Sequence, residues 1–350
     1  MNSSPPAICI QGIGAISPAG WGVPLLRQVL AAGQPVPPCK LARPGWEHPL
    51  TVRQTPPPAT RPAFLSHARL RRTSPIARYV VAAALEALGT DAQKVAQGFR
   101  LGIVFCAMSG CVNYSRRFYS EVLNDPSTAS PLVFPETVFN SPASHLASLL
   151  GTLAINYTIV GDPGTFVQGI ALAADWLAQG RVDGCLVIGA EEMDWLLADA
   201  TRRFERSAII SDGAGALYLK SVITASDPSE VRLSCVTDAE AFHGNRSRAE
   251  AVQAVRNEMK ALHRQNEILF DSRLGIARAD RDESAAWSDW TQQRVSVKSL
   301  LGEGYMAAAA WQCVAAVDAL QQGGSSAATV NVVGANQQAI AAQFVRYEKP

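Results

Sequence analysis

Short apolar runs alternate along the chain with longer stretches in which apolar residues recur every three or four positions. The runs predict strands at 7–11, 101–105, 156–160, 185–189 and 214–220. The periodic stretches predict helices near 22–32, 114–124, 140–150 and 165–179. Ser74-Pro75 places an N-cap before a proline at the first helical position. Ile76, Tyr79, Val80, Ala83, Ala84, Ala87 and Leu88 then form one apolar stripe, which Gly89 ends. After Ser221 the pattern restarts, with strands at 230–237, 267–271, 294–298 and 329–333 and helices at 246–264, from 281, and at 303–321. Strands alternating with helices predict an α/β fold whose sheet is largely parallel and covered on both faces. The restart predicts two similar halves, 1–221 and 222–350, although no residue-level repeat is visible.

Glycines and prolines punctuate this pattern. Gly12-Ile13-Gly14-Ala15-Ile16-Ser17-Pro18 is expected to make a tight turn between the first strand and the first helix. The same segment invites comparison with a dinucleotide fingerprint. Ser17 stands where the third glycine belongs, however, and no acidic residue is well placed about 20 residues on, which argues against nucleotide binding. Residues 34–62 hold nine of the 21 prolines. They predict an extended surface segment that wraps a neighbour or crosses the active-site side.

Composition narrows the function classes. Of 350 residues, 31 are Lys or Arg and 30 are Asp or Glu, a formal net charge of +1 that argues against an electrostatic nucleic-acid or membrane binder. Hydrophobic residues make up 48% and charged ones 17%, so a large core is expected, with some surface facing another subunit. The seven cysteines, at 9, 39, 106, 111, 185, 235 and 313, are odd in number and lack a CxxC pair. They read as buried thiols in a reducing compartment. The first residues lack the charged and apolar regions of a signal peptide, and no apolar stretch reaches the roughly 18 residues of a membrane span. A cytoplasmic location is expected.

Seven segments in order resemble the β-ketoacyl-acyl-carrier-protein synthases of the thiolase fold. They are Gly12 to Pro18, Asn140-Ser141-Pro142-Ala143-Ser144-His145, Asn156-Tyr157-Thr158-Ile159, Gly189-Ala190-Glu191, Asp212-Gly213-Ala214-Gly215-Ala216-Leu217, Val295-Ser296-Val297-Lys298-Ser299 and Asn331-Val332-Val333-Gly334-Ala335-Asn336. The resemblance covers nearly the whole chain. It implies two similar βαβαβ halves in α-β-α-β-α layers, and says more about fold than about activity.

The condensing chemistry of that family implies a Cys nucleophile at a helix N-terminus and two His that act on a malonyl thioester. Here Val160-Gly161-Asp162-Pro163-Gly164-Thr165-Phe166 follows the strand that leads to the nucleophile, and Pro163 takes its position. Counting back from Asp280 and Glu283 puts Ser272 at the first His. Lys298-Ser299-Leu300-Leu301-Gly302-Glu303 puts Glu303 at the second. A proline cannot attack a thioester, Ser272 cannot act as a cation, and Glu303 would repel a malonyl carboxylate, as would nearby Asp162. With neither His kept, a decarboxylase is not expected either. The plain structural reading is a turn at Pro163-Gly164, an ordinary polar Ser272, and a Lys298–Glu303 pair.

A member without this set resembles the chain-length factor, the partner that pairs with an active ketosynthase in type II polyketide and aryl-polyene systems and contributes to the acyl tunnel. By that resemblance Val112, Ser115 and Tyr119 fall at gating positions, and their spacing places them on one helix face. The same spacing suits core or interface packing. The segment between Glu192 and Asp212 is short where active members carry a longer excursion; Arg202-Arg203-Phe204-Glu205-Arg206 remains of it.

Other chemistry is thinly supported. Cys111 follows a strand but has no identifiable His partner, and His145 sits in an apolar helix. His48, His67, His243 and His263 show no ligand spacing, so no metal and no cofactor is expected. Arg69, Arg71, Arg72 and Arg78 form either a contact for an acidic carrier protein or a solvated helix face. The expected function is a non-catalytic chain-length-factor-like subunit whose partners are an active ketosynthase and, through the complex, an acyl carrier protein. The alternatives are an active condensing enzyme or acyltransferase with an unidentified nucleophile, and a homodimeric acyl-binding scaffold.

Overall fold

The computed structural model describes residues 6–222, 230–243 and 247–347. Ten strands carry the architecture: β1 (Ala7–Ser17), β2 (Leu101–Ala107), β3 (Asn156–Val160), β4 (Gly184–Glu191), β5 (Gly213–Val222), β6 (Val231–Val236), β7 (Glu267–Asp271), β8 (Arg294–Ser296), β9 (Ala327–Val333) and β10 (Gln338–Arg346). They pair in the order β8-β7-β9-β10-β6-β1-β5-β4-β2-β3. In the first half β2 lies parallel to β3 and β4, and β5 runs antiparallel to β4 and β1. In the second half β7 lies parallel to β8 and β9, and β10 runs antiparallel to β9 and β6. The two sets of five repeat one pairing scheme. They meet at a short antiparallel seam where Cys9 faces Arg232 and Ile10 faces Val231.

Nine helices matter for the site: α1 (Val23–Ala32), α2 (Pro75–Leu88), α3 (Val112–Asn124), α4 (Ser141–Leu150), α5 (Thr165–Ala178), α6 (Trp195–Phe204), α7 (Arg248–Lys260), α8 (Ala277–Ala286) and α9 (Met306–Gln321). Helices α2 and α4 cover the outer face of the first half, and α7 with α8 packs on the second. Helices α5 and α9 fill the layer between the halves. A middle-layer helix must be apolar all round, and α9 is buried at nearly every position from Met306 to Leu320. Its small residues allow close approach: a Cβ on Gly215 would fall 2.7 Å from the Ala310 Cβ. The α-β-α-β-α layering that the resemblance implied is thus present, but the sheet is mixed rather than largely parallel, because β1, β5, β6 and β10 pair antiparallel. Strands β2 and β4 are buried along their full length, which is why both read as unbroken apolar runs. Residues 223–229, which follow the expected division at 221 and 222, lie outside the described residues. Residue 246, the expected start of α7, also lies outside them.

Several local expectations need correction. The glycines at 12 and 14 make no turn, because β1 continues through them to Ser17. A Cβ at either would sit 2.0 Å from the carbonyl oxygen of Ala87 or Ala83, so these glycines let α2 lie directly on β1. The proline-rich segment is not wholly irregular: Cys39–Leu41 pairs with Leu50–Arg53, which pairs with Ile210–Ser211. Leu50 and Val52 are fully buried there, whereas Cys39 is exposed, contrary to the reading of all seven cysteines as buried. Residues 297–301, partly assigned to a strand, form a helical turn. Strand β10 was not expected at all. Its two glutamines and three alanines carry little strand signal, yet it is central to the second half, and Gln343 donates to buried Glu267 and to the Leu262 carbonyl.

Candidate functional site

The two middle-layer helices begin at equivalent places, α5 between β3 and β4, α9 between β8 and β9. Each start is occupied by a buried carboxylate. Asp162 precedes α5, and its Oδ1 accepts hydrogen bonds from Gly164 N (3.1 Å) and Gln338 Nε2 (3.2 Å). Its Oδ2 accepts from Gln337 N (3.2 Å) and Gln338 N (3.3 Å). Burial pushes the Asp162 pKa above the ordinary aspartate range, against the lowering effect of these donors. Pro163 is buried beside it, and its carbonyl accepts from Phe166 N at 3.2 Å. The missing N–H costs nothing at a helix start. The position expected for the nucleophile is therefore a turn packed against the β9–β10 loop.

Glu303 precedes α9. Its Oε2 lies 2.9 Å from Lys298 Nζ, and its Oε1 accepts from Tyr305 N at 2.7 Å, so the anticipated Lys298–Glu303 pair forms and is buried. Tyr305 takes a positive φ of 48° to make this turn, a strained conformation for a bulky side chain.

Ser272 follows β7, and its hydroxyl is committed on several sides. Oγ donates to the Asn331 carbonyl (3.0 Å) and accepts from Val333 N (3.0 Å). The Gln312 amide of α9 reaches Asp271 O, Ser272 Oγ and Asn331 O. Glu283 accepts from Ser272 N at 3.0 Å and from the Asn331 amide. Burial raises the Glu283 pKa and the Asp271 charge adds to that effect, while Lys298 opposes it. Three positions distant in sequence thus share one network. The loop after β9 joins Ser272, through Val333, to Asp162, through Gln337 and Gln338; Glu283 links Ser272 electrostatically to Lys298 and so to Glu303. Sequence reading used Asn331 and Glu283 only as motif landmarks and missed Gln338 and Gln312, whose signal was polar character inside otherwise apolar elements.

A second set of buried carboxylates sits at the end of β4. Glu192 accepts from Ser74 Oγ and Ile76 N at the start of α2, and from Asn113 N at the start of α3. Glu191 accepts from Met108 N, Ser109 N and Ser109 Oγ, and burial pushes its pKa up to about 7. Asp212 is raised to about 6 by burial while accepting from Thr55 and Tyr79. These groups satisfy orphan N–H donors at helix starts and loops, which is structural work.

Val112 and Ser115 are half-buried on α3, with Ser115 Oγ donating to the Thr137 carbonyl, and Tyr119 is 64% exposed. Cys111 is buried against the Val138 carbonyl, and desolvation with nearby Glu192 and Glu136 drives its thiol pKa up, away from nucleophilic character. His145 Nε2 lies 2.9 Å from both oxygens of Glu136. Arg69, Arg71 and Arg72 are exposed, and Arg78 sits half-buried on α2. Helix α6 occupies the short segment after Glu192, leaving Phe204 85% exposed. No helix among the described residues is long and apolar enough to cross a membrane.

The family model for 3-oxoacyl-[acyl-carrier-protein] synthase III matches residues 163–238. No curated protein matches the chain in sequence. Among solved structures, the ishigamide ketosynthase/chain length factor superposes with a TM-score of 0.81 at 20% identity, covering 98% of this chain and 100% of that one. The type II polyketide ketosynthase of AntDE:AntF, solved with its acyl-carrier protein, gives 0.80 at 16% identity with the same coverage. A β-ketoacyl synthase from Burkholderia phymatum STM815 gives 0.78 at 16% identity, again covering 98% and 100%. The chain has the thiolase-like fold that these ketosynthases and chain length factors share.

Proposed function

We propose that this chain is a non-catalytic, chain-length-factor-like partner of an active β-ketoacyl-acyl-carrier-protein synthase, shaping the acyl tunnel in type II polyketide or aryl-polyene synthesis. The observation that carries the reading is the commitment of Pro163, Ser272 and Glu303. The first has no nucleophilic atom, the hydroxyl of the second is held on both sides by backbone, and the third is locked to Lys298. None offers the thiol or imidazole that decarboxylative condensation requires.

Two features support a partner. Nine of the fourteen exposed large apolar side chains among the described residues fall between 119 and 160, including Tyr119, Leu123, Leu132, Phe134, Leu153 and Tyr157. Such a concentration along one stretch of chain supports an interaction surface there. Strand β3 ends the sheet with β2 as its neighbour, so its outer backbone is a ready edge. A ketosynthase is the occupant favoured by likeness to a ketosynthase/chain length factor and to a ketosynthase solved with its carrier protein. In this reading Val112, Ser115 and Tyr119 bound the tunnel from the partner side.

The test is co-expression with a ketosynthase from the same locus, followed by size exclusion and a malonyl-carrier elongation assay. A stable 1:1 complex active only as the pair is expected. Turnover by this chain alone would establish an active enzyme, and homodimers beside a self-sufficient ketosynthase would favour an acyl-binding scaffold. Changing Val112 or Tyr119 to a larger or smaller residue is expected to shift product length in the complex; an unchanged distribution would remove the gating role.

A further inference from the structure

Positive charge is concentrated at one end of the sequence. Residues 1–85 hold nine Lys or Arg and one acid, Glu47, in a chain whose formal net charge is +1. Half of that excess sits in the loop between Thr55 and Ser74, which carries Arg61, Arg69, Arg71 and Arg72 and no carboxylate. All four are exposed, and none meets a carboxylate among the described residues; Arg61 reaches the Leu65 carbonyl at 3.4 Å. Arg27, Arg43 and Arg53 of the same stretch are engaged, with Asp318, Asp199 and the Val36 carbonyl. Elsewhere Arg100, Arg117 and Arg203 are also exposed, yet each stands beside a carboxylate, Asp183, Glu121 and Asp199.

The loop is built rather than slack. Asp212 accepts from Thr55 N at 2.7 Å, and Glu192 accepts from Ser74 Oγ and Ile76 N, so a buried carboxylate pins each end. Glu191, just before Glu192, pairs with Gly213, just after Asp212, so the two pins stand side by side at one end of β4 and the loop returns to where it left. Trp21 Nε1 donates to the Pro56 carbonyl at 2.8 Å, and Leu70 is buried between exposed Arg69 and Arg71. The 3-10 helical turns Ala63–Ser66 and Ala68–Leu70 are its regular structure. A connection this long is ordinarily either functional or disordered, and these pins order it.

We infer that this loop docks an acidic helix of a partner protein. Within the function proposed above, on which the choice of partner rests, that protein is the acyl carrier protein. Carboxylates one turn apart on a helix stand about 5–6 Å apart at Cβ, a spacing that guanidinium groups gathered at Arg69, Arg71 and Arg72 can meet together. Planar guanidinium forks bind carboxylates in pairs. Half-buried Phe64 and Leu65 add apolar surface beside the charges. A nucleic-acid backbone is a poorer match, because these cations are gathered on one short loop of a chain that is nearly neutral.

Calorimetric titration of the full chain with the acyl carrier protein of the same locus, without ketosynthase, tests this. Saturable 1:1 binding is expected, weakened about tenfold between about 50 and 200 mM salt as screening grows. Arg71→Glu is expected to weaken binding about fivefold, and Arg69→Glu, Arg71→Glu and Arg72→Glu together to abolish it, with Tm unaltered because these side chains are exposed and unpaired. Arg278→Glu makes the same charge change on the exposed surface of α8 and is expected to leave binding unaltered. The proposal is overturned by absence of carrier binding, by a loss no greater for Arg71→Glu than for Arg278→Glu, or by tighter binding of phosphatidylglycerol vesicles or duplex DNA than of the carrier. Ketosynthase pairing without carrier binding would remove this docking surface alone, whereas loop-dependent carrier binding without ketosynthase pairing would keep the surface and remove the chain-length-factor reading.

Discussion

The starts of α5 and α9 occupy the same place in the two halves, yet the buried carboxylate at each is stabilised differently. Asp162 is held by neutral N–H donors, three of them from Gln337 and Gln338 of the other half. Glu303 is held by a cation, Lys298, and by the backbone of Tyr305, all within its own half. The first arrangement is a clasp between halves and leaves the carboxylate pKa raised by burial. The second is a local ion pair, in which each charge depends on the other to offset its desolvation. One fold position thus admits two electrostatic solutions.

The comparison can be broken most forcefully at α9. Lys298→Ala strands Glu303 in a buried setting and removes the cation beside Glu283, so urea unfolding is expected to show a loss of about 3–5 kcal/mol. Replacing Lys298 and Glu303 together by Met and Leu is expected to recover most of it. A pair loss no larger than that of an exposed ion pair would show that Glu303 is solvated. At α5, Asp162→Ala leaves the N–H groups of Gly164, Gln337 and Gln338 without their acceptor, a loss of about 2–3 kcal/mol by the same measurement. Gly334→Ala sharpens the clasp further, since its Cβ would fall 1.7 Å from Asp162 Oδ2. About 1–3 kcal/mol is expected in the native background and clearly less in the Asp162→Ala background. Additive losses would place Gly334 outside the clasp.

The smallest effect is on pH dependence. Because burial raises the folded-state pKa of Asp162, the folded chain holds that proton more tightly than the unfolded chain does. This contribution to stability is therefore lost as pH rises from the ordinary aspartate range through the raised value. Asp162→Asn is expected to flatten the fall in unfolding free energy over that window, while Glu191, raised to about 7, maintains its own fall from about pH 4.5 to 7. An unchanged profile in Asp162→Asn would mean that the Asp162 pKa is not raised on folding.

How much was legible depended on how local the cause was. The start of α2 was readable because Ser74 and Pro75 stand there, and α9 was readable because its residues are apolar except at Gln312, Asp318 and Gln321. The Lys298–Glu303 pair was within reach because the partners are five residues apart. Strand β10 was not, since its alanines and glutamines are buried by what surrounds them. Gly12 and Gly14 were misread for a related reason: glycine in a turn and glycine under a helix look alike until the helix is placed. Ser272 was located by counting back from Glu283, but no spacing tied either of them to Gln312 or Asn331.

Residue identity by itself determined that Pro163 brings no nucleophile, that the charges nearly balance, and that strands and helices alternate through two similar halves. Only the tertiary structure decided that Asp162 would find its donors 175 and 176 residues away and that Tyr119 would face outward. The reason is physical. Periodicity and capping report forces acting within a few residues, whereas the partner of a buried polar group is set by which strands pair and which helices fill the layer between them.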